Sequence, residues 1–90
     1  MTYTFEATAR FWKEFRKLGA DERASARAAF KIFKANPFDP RLGTHRIAKL
    51  SAHARHPIFS AVVENNLRVI FRIDGQVVTS LDIGSHDIYK

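Results

Sequence analysis

An α+β domain with the order β-α-α-β-β-β is expected from three features of this 90-residue chain. Two stretches near the N-terminus place apolar residues at helical spacing, and the segments after residue 43 alternate apolar and polar residues as strands do. The third feature is composition: 46% hydrophobic residues with eight phenylalanines is enough for one core, and the length leaves no room for a second. Residues 1–90 are read as one domain. Because strand follows strand in the second half, the sheet should be mainly antiparallel, with the two helices packed on it as a hairpin.

The opening "TYTFE" is short and alternating, which suits a first strand. Thr8 is placed to cap a first helix in which Phe11, Phe15 and Leu18 recur at i, i+4 and i+7 beside Trp12, and Gly19 supplies a stop. Asp21 can cap a second helix, with Ala26, Ala29, Phe30 and Phe33 on one face, and Asn36-Pro37 ends it. After the loop "NPFDPRLG" come "THRIAKL", "IFSAVVE", "LRVIFRI" and "VVTSLDI", all rich in β-branched and aromatic residues.

In "LRVIFRI", Leu67, Val69, Phe71 and Ile73 share the face toward the helices, while Arg68, Ile70 and Arg72 share the other. A two-residue Asp74-Gly75 loop would set Ser80 and Asp82 on the buried face. A three-residue loop, Ile73-Asp74-Gly75 with a left-handed Gly75, is therefore expected. It places Val69 opposite Thr79, Leu67 opposite Leu81, and Arg68 opposite Ser80 and diagonal to Asp82.

Fifteen Lys and Arg against nine Asp and Glu give a net charge of +6, which points to an acidic partner, nucleic acid or an acidic protein. Residues 37–56 hold four basic and one acidic side chain, together with three of the four histidines. The helices carry Arg10, Lys13 and Lys17, then Arg23, Arg27, Lys31 and Lys34, opposite their apolar stripes; these read either as a solvated face or as a phosphate-contacting ridge. No apolar run approaches the roughly 18 residues of a membrane helix, and the stretch "MTYTFEATARFWKEFRK" does not read as a basic-then-apolar leader. With no cysteine, a cytoplasmic location is expected.

The element order, the helix-ending "NP", the strand "ENNLRVIFRIDGQVV" and the ending "DIGSHDIY" together resemble the RelE/ParE superfamily of bacterial toxins, across nearly the whole chain. The resemblance implies a small sheet backed by a helical hairpin and a cognate antitoxin partner. In the RelE-like branch it implies a type II toxin, a metal-independent endoribonuclease that cleaves ribosome-bound mRNA and stops translation. In the ParE-like branch it implies a non-enzymatic inhibitor of DNA gyrase, and a degenerate, non-toxic member is the third reading. Arg68 resembles the family's strand arginine, which contacts the scissile phosphate in the RNases. His86 falls where those members place a terminal basic residue, and Tyr89 is similar to a C-terminal tyrosine of some members. Ser60 and Val62 stand where the best-known RNases carry lysines.

The chemistry fits those residue types. Cleavage at a 2′-hydroxyl needs a base, an acid and fixed positive charge on the phosphorus. His86 suits a proton step, Arg68 clamps the transition state, Arg72 adds a second cation, and Tyr89 stacks or donates a proton. His45, His53 and His56 are candidates for the remaining proton transfer, and with Arg46, Lys49 and Arg55 they form an RNA-binding connector. Each has a structural alternative: a polar surface histidine, a turn at "GSHD", or a cross-strand Arg68–Asp82 ion pair. No cofactor is expected, and without cysteine or a tight carboxylate cluster no metal is either.

Overall fold

The computed structural model describes residues 2–52 and 54–85. The elements are β1 (Thr4–Ala7), α1 (Ala9–Arg16), α2 (Ala20–Ala35), a 3-10 turn (Pro40–Leu42), β2 (His45–Arg46), α3 (Ala48–Ser51), β3 (Ile58–Glu64), β4 (Leu67–Asp74) and β5 (Val77–Ser85). They form one five-stranded sheet in the order β1-β5-β4-β3-β2. The pairs β2–β3, β3–β4 and β4–β5 are antiparallel, and β1 runs parallel to β5. The α+β class and the mainly antiparallel sheet agree with the pattern read from the sequence.

Both helices start and stop for local reasons. Thr8 caps α1, its hydroxyl accepting from the Phe11 N–H at 3.1 Å. α1 ends at Arg16, three residues short of Gly19, and Gly19 instead forms the N-cap of α2. The Gly19 N–H donates to Glu22 Oε1 at 3.1 Å, so a backbone-to-carboxylate bond replaces the expected Asp21 cap. The Arg23 guanidinium donates to the Leu18 carbonyl and ties the connection down. In the loop after α2, Asp39 caps the 3-10 turn by accepting from the Arg41 N–H at 2.9 Å. The Arg41 side chain and its backbone N–H together hold the Asp39 carboxyl down to about 2.

The core lies between the helices and one face of the sheet. Phe11, Phe15, Ala26 and Phe33 from the helices meet Ala61, Leu67, Val69, Phe71, Val78 and Ile83 from the strands. Phe33 and Phe71 meet edge to face at 4.8 Å between ring centroids, a geometry worth about 0.5–1.5 kcal/mol beyond burial.

The strand expected over "THRIAKL" is only two residues long. After Arg46 the chain leaves the sheet edge and forms α3, which lays Ile47 and Leu50 over the second face. Ser51 ties down the departure: its hydroxyl accepts from the Ile58 N–H (3.0 Å), which a longer strand would otherwise have paired, and donates to the Ile58 carbonyl (3.2 Å), which also accepts from the Ile47 N–H (2.9 Å). Ile47, Ile58 and Ile70 thereby form a second apolar cluster, with Leu50, Ala54 and Leu81 packed on it.

The β4–β5 register differs from the expected one. Asp74 pairs with Val77, so the loop is Gly75-Gln76, with Gly75 at φ +60°. The correction that keeps the right residues buried comes later, as a bulge: Phe71 pairs with Ser80, but Ile70 pairs with Asp82. Leu81 and Asp82 therefore both oppose Ile70 on the second face, and Val69 pairs with Ile83 rather than Thr79.

Candidate functional site: the partly covered sheet face

Cross-strand partners share a face, so the registers lay the second face out in rows. One row reads Val62, Arg68, Gly84; the next reads His45, Ser60, Ile70, Asp82; a third reads Ile58, Arg72, Thr79, Glu6. The face expected to be open is covered across its middle, because the cluster under α3 leaves Ile70 only 4% and Ile58 only 6% exposed. Arg68 and Arg72, although two residues apart on β4, are thus separated by a buried isoleucine.

Arg68 is half-buried and faces Val62 and Gly84, not Ser80. Its guanidinium donates to the Asn65 carbonyl at 2.6 Å and to the Leu67 carbonyl at 3.3 Å, folding back on the β3–β4 turn. The expected diagonal partner, Asp82, is engaged elsewhere: Arg10 of α1 reaches it at 3.2 Å, and the Ile83 N–H donates to its other oxygen at 2.9 Å. Arg10, read from the sequence as part of a helical polar face, is a link from helix to sheet.

His45 stands on this face at the sheet edge, opposite Ser60. Its Nδ1 lies 3.3 Å from the Gly43 carbonyl, which can only accept, so the bond requires the proton on Nδ1. Gly43 is left-handed at φ +54°, and a Cβ on it would meet Val62 Cγ2 of β3 at 3.5 Å, an ordinary contact, so the backbone conformation rather than space favours glycine there. Arg46 pairs with Phe59 and faces the other way, and Lys49 and Arg55 are exposed. His56 Nε2 sits 3.4 Å from Asp74 Oδ2 at the far end of β4, so it is placed apart from the Arg68 row. His53, His86 and Tyr89 lie outside the described residues. Ser85, opposite Leu67, is the last described residue before His86.

Two features were not anticipated. Ser60 is fully buried, and its Oγ has no hydrogen-bond partner among the described residues. On the helix side, a groove of about 450 Å3 opens between β1, α1 and α2, lined by Phe5, Phe11, Phe30 and Phe33 with three cations, Arg27, Lys31 and Lys34, and one carboxylate, Glu6. Trp12 borders it and is 47% exposed; its position beside the Phe11–Phe15 stripe was the available signal. Among the described residues, no three His, Asp or Glu side chains form a group able to hold a metal ion, and no helix is long and apolar enough to cross a membrane.

No family model and no curated protein matches the chain. Solved structures do. The archaeal RelE–RelB complex from Pyrococcus horikoshii OT3 contains a chain similar over 98% of this one and 99% of its own length, with a TM-score of 0.74 at 14% identity. A chain of the E. coli DinJ–YafQ toxin-antitoxin complex matches 96% of this chain and 94% of its own length, with a TM-score of 0.71 at 13% identity. The YoeB dimer from Staphylococcus aureus matches over 96% and 99%, with a TM-score of 0.68 at 6% identity. This chain has the RelE-like toxin fold.

Proposed function

We propose that the chain is a type II toxin of the RelE kind, a metal-independent endoribonuclease that cleaves ribosome-bound mRNA and is restrained by a cognate antitoxin. The observation that carries this reading is the placement of Arg68 on the uncovered end of the sheet face, in the row next to an exposed histidine and one strand position from the end of β5. A guanidinium there can leave the two turn carbonyls for a phosphate, which offers charge-assisted bonds in place of neutral ones. Arg68 then holds the charge that develops on phosphorus, and His86 and Tyr89 follow Ser85 at the same end of the chain as the proposed acid and stacking or proton-donating group. Arg72, Lys49, His53 and Arg55 are assigned to holding the RNA backbone, while Arg46, on the opposite face, and His56, beside Asp74, are left out of it.

The partner assignment draws on the helix-side groove. Its apolar lining and cationic border suit a segment that is apolar on one face and acidic on the other, as a cognate antitoxin would supply. The chains this one resembles were solved in complex with RelB and with DinJ.

In a translation reaction with ribosome-bound mRNA, the wild-type chain is expected to cut the message, and Arg68→Ala to slow cutting by about 10²–10³-fold. An equal rate in the variant would remove Arg68 from the reaction. A second reading, ParE-like inhibition of gyrase, is favoured by β3, which presents uncharged Ser60 and Val62 to the face. Inhibited supercoiling with intact mRNA would replace the ribonuclease reading with that one. Normal growth on expression without antitoxin would mark a degenerate, non-toxic member.

A further inference from the structure

The groove between β1, α1 and α2 combines three kinds of surface that one small molecule can use at once. Its floor is aromatic and already packed: Phe5 meets Phe33 edge to face at 5.4 Å between ring centroids, and Phe11 meets Phe30 in the same way at 5.6 Å. At its mouth Trp12 stands at 81° to both Phe11 and Phe15 and is 47% exposed, which leaves much of the indole open to a ring from outside. The volume of about 450 Å3 falls in the range of small-molecule sites, about 300–1,000 Å3.

The second surface is a row of charge. Arg27, Lys31 and Lys34 fall at i, i+4 and i+7 of α2, on one side of the helix, and span about 10 Å along its axis. None of the three has an ion pair among the described residues, whereas Arg10, Lys17 and Arg41 each have one. The Arg27 guanidinium lies 5.7 Å from the centroid of the Phe15 ring, a cation–π contact that holds it at the groove wall without occupying its N–H donors. Glu6 is the one carboxylate among the described residues of the lining, so three cations against one anion leave the groove positive.

The third surface is the outer edge of β1, the end strand of the sheet. The Thr4 N–H donates to the Gln76 carbonyl at 2.8 Å and the Thr8 N–H to the Ser80 carbonyl at 3.0 Å, so alternate residues of β1 face β5. Phe5 and Ala7, in between, turn their N–H and carbonyl groups to the outer edge, and both residues line the groove. Each offers one donor beside one acceptor, and a heterocyclic base presents acceptors and donors along its edge in return.

We propose that this groove is a binding site for a nucleoside diphosphate. The base lies between Trp12 and the phenylalanine floor, its polar edge on Phe5 and Ala7 of β1, and the phosphates run along Arg27, Lys31 and Lys34, where charge-assisted bonds hold them. A fatty acid would use the floor and one cation, and inorganic phosphate the cations alone. A planar ring with a polar edge and more than one negative charge uses all three surfaces. The site is independent of the ribonuclease reading. It overlaps the surface assigned to the antitoxin, so the two ligands exclude each other.

The test uses the full chain without antitoxin. Trp12 is the single tryptophan of the chain, and ADP is expected to quench its emission when it is excited at the red edge of its absorption, where ADP does not absorb. Calorimetry gives the affinity, and a melting midpoint that rises with ADP concentration gives a measure that needs no tryptophan. Adenosine and pyrophosphate, each holding part of the ligand, should bind about tenfold or more weakly than ADP. Trp12→Ala should weaken ADP binding by about 5–150-fold, the loss of one base stack, and Arg27→Gln by about tenfold or more. Melting midpoints of the two variants without ligand verify that both fold. Absence of heat, quenching and midpoint shift at millimolar ADP would overturn the proposal. Pyrophosphate binding as tightly as ADP would overturn it by reducing the site to an anion patch, and palmitate binding more tightly would do so in favour of a lipid. ADP affinity unchanged in both folded variants would also overturn it, by placing the nucleotide outside this groove.

Discussion

A hydroxyl taken out of water without a partner costs about 1–3 kcal/mol, and among the described residues Ser60 Oγ on β3 is in that position. Ser60→Ala should therefore stabilise the fold by roughly 1 kcal/mol, raising the melting midpoint by about 4 °C for a domain of this size. A lower midpoint in calorimetry would show that the hydroxyl is bonded. Period-two alternation in "IFSAVVE" puts Ser60 on the face of Ile58 and Val62, and that much was legible. Its burial was not, because it depends on what covers the face, and the cover is α3, read from the sequence as strand. Arg68 shows the same division. Its face followed from the alternation of "LRVIFRI", whereas its partners followed from a turn and a bulge whose geometry no local pattern specifies.

The bulge in β5 and the start of α1 support each other. At Leu81 the ladder to β4 is interrupted, and Thr8 Oγ1 donates to the Leu81 carbonyl at 3.0 Å while accepting from the Phe11 N–H. One hydroxyl thus caps a helix and satisfies a carbonyl at the bulge, and the Thr8 N–H reaches the Ser80 carbonyl beside it at 3.0 Å. Thr8→Ala should cost about 1–2 kcal/mol, the upper part of the usual range for a cap, and Thr8→Ser should recover most of it. A cost below about 0.5 kcal/mol in denaturant titration would mean that water replaces both bonds. The sequence announced this cap, since Thr8 precedes an apolar stripe. It did not announce the bulge, because Leu81 and Asp82 read as ordinary alternation until Arg10, 72 residues earlier in the chain, claims the aspartate. Gly19 was likewise visible as a boundary but assigned to the wrong helix, since a glycine suits the end of one as readily as the start of the next.

The molecule presents two different surfaces: a partly covered sheet face bearing Arg68 and His45, and a helix-side groove whose border is cationic. With a net charge of +6, both attract acidic partners, and the groove is assigned to the antitoxin because its lining is apolar. Lys31→Glu combined with Lys34→Glu should weaken antitoxin binding roughly tenfold, mainly by slowing association, and should leave mRNA cleavage by the free chain unchanged. Unaltered association kinetics would place the antitoxin elsewhere. The sheet itself carries a last consequence. Among the described residues β1 pairs with β5 alone, with Thr4 beside Val77, so the first strand waits for the last. During synthesis the sheet edge cannot close until nearly the whole chain has cleared the ribosome, and long-range pairings of this kind form late. Thr8 cannot reach Leu81, nor Arg10 reach Asp82, before that point. Until β5 is available, β1 and the start of α1 lack the edge that holds them, and the Arg68 row lacks its Gly84 neighbour.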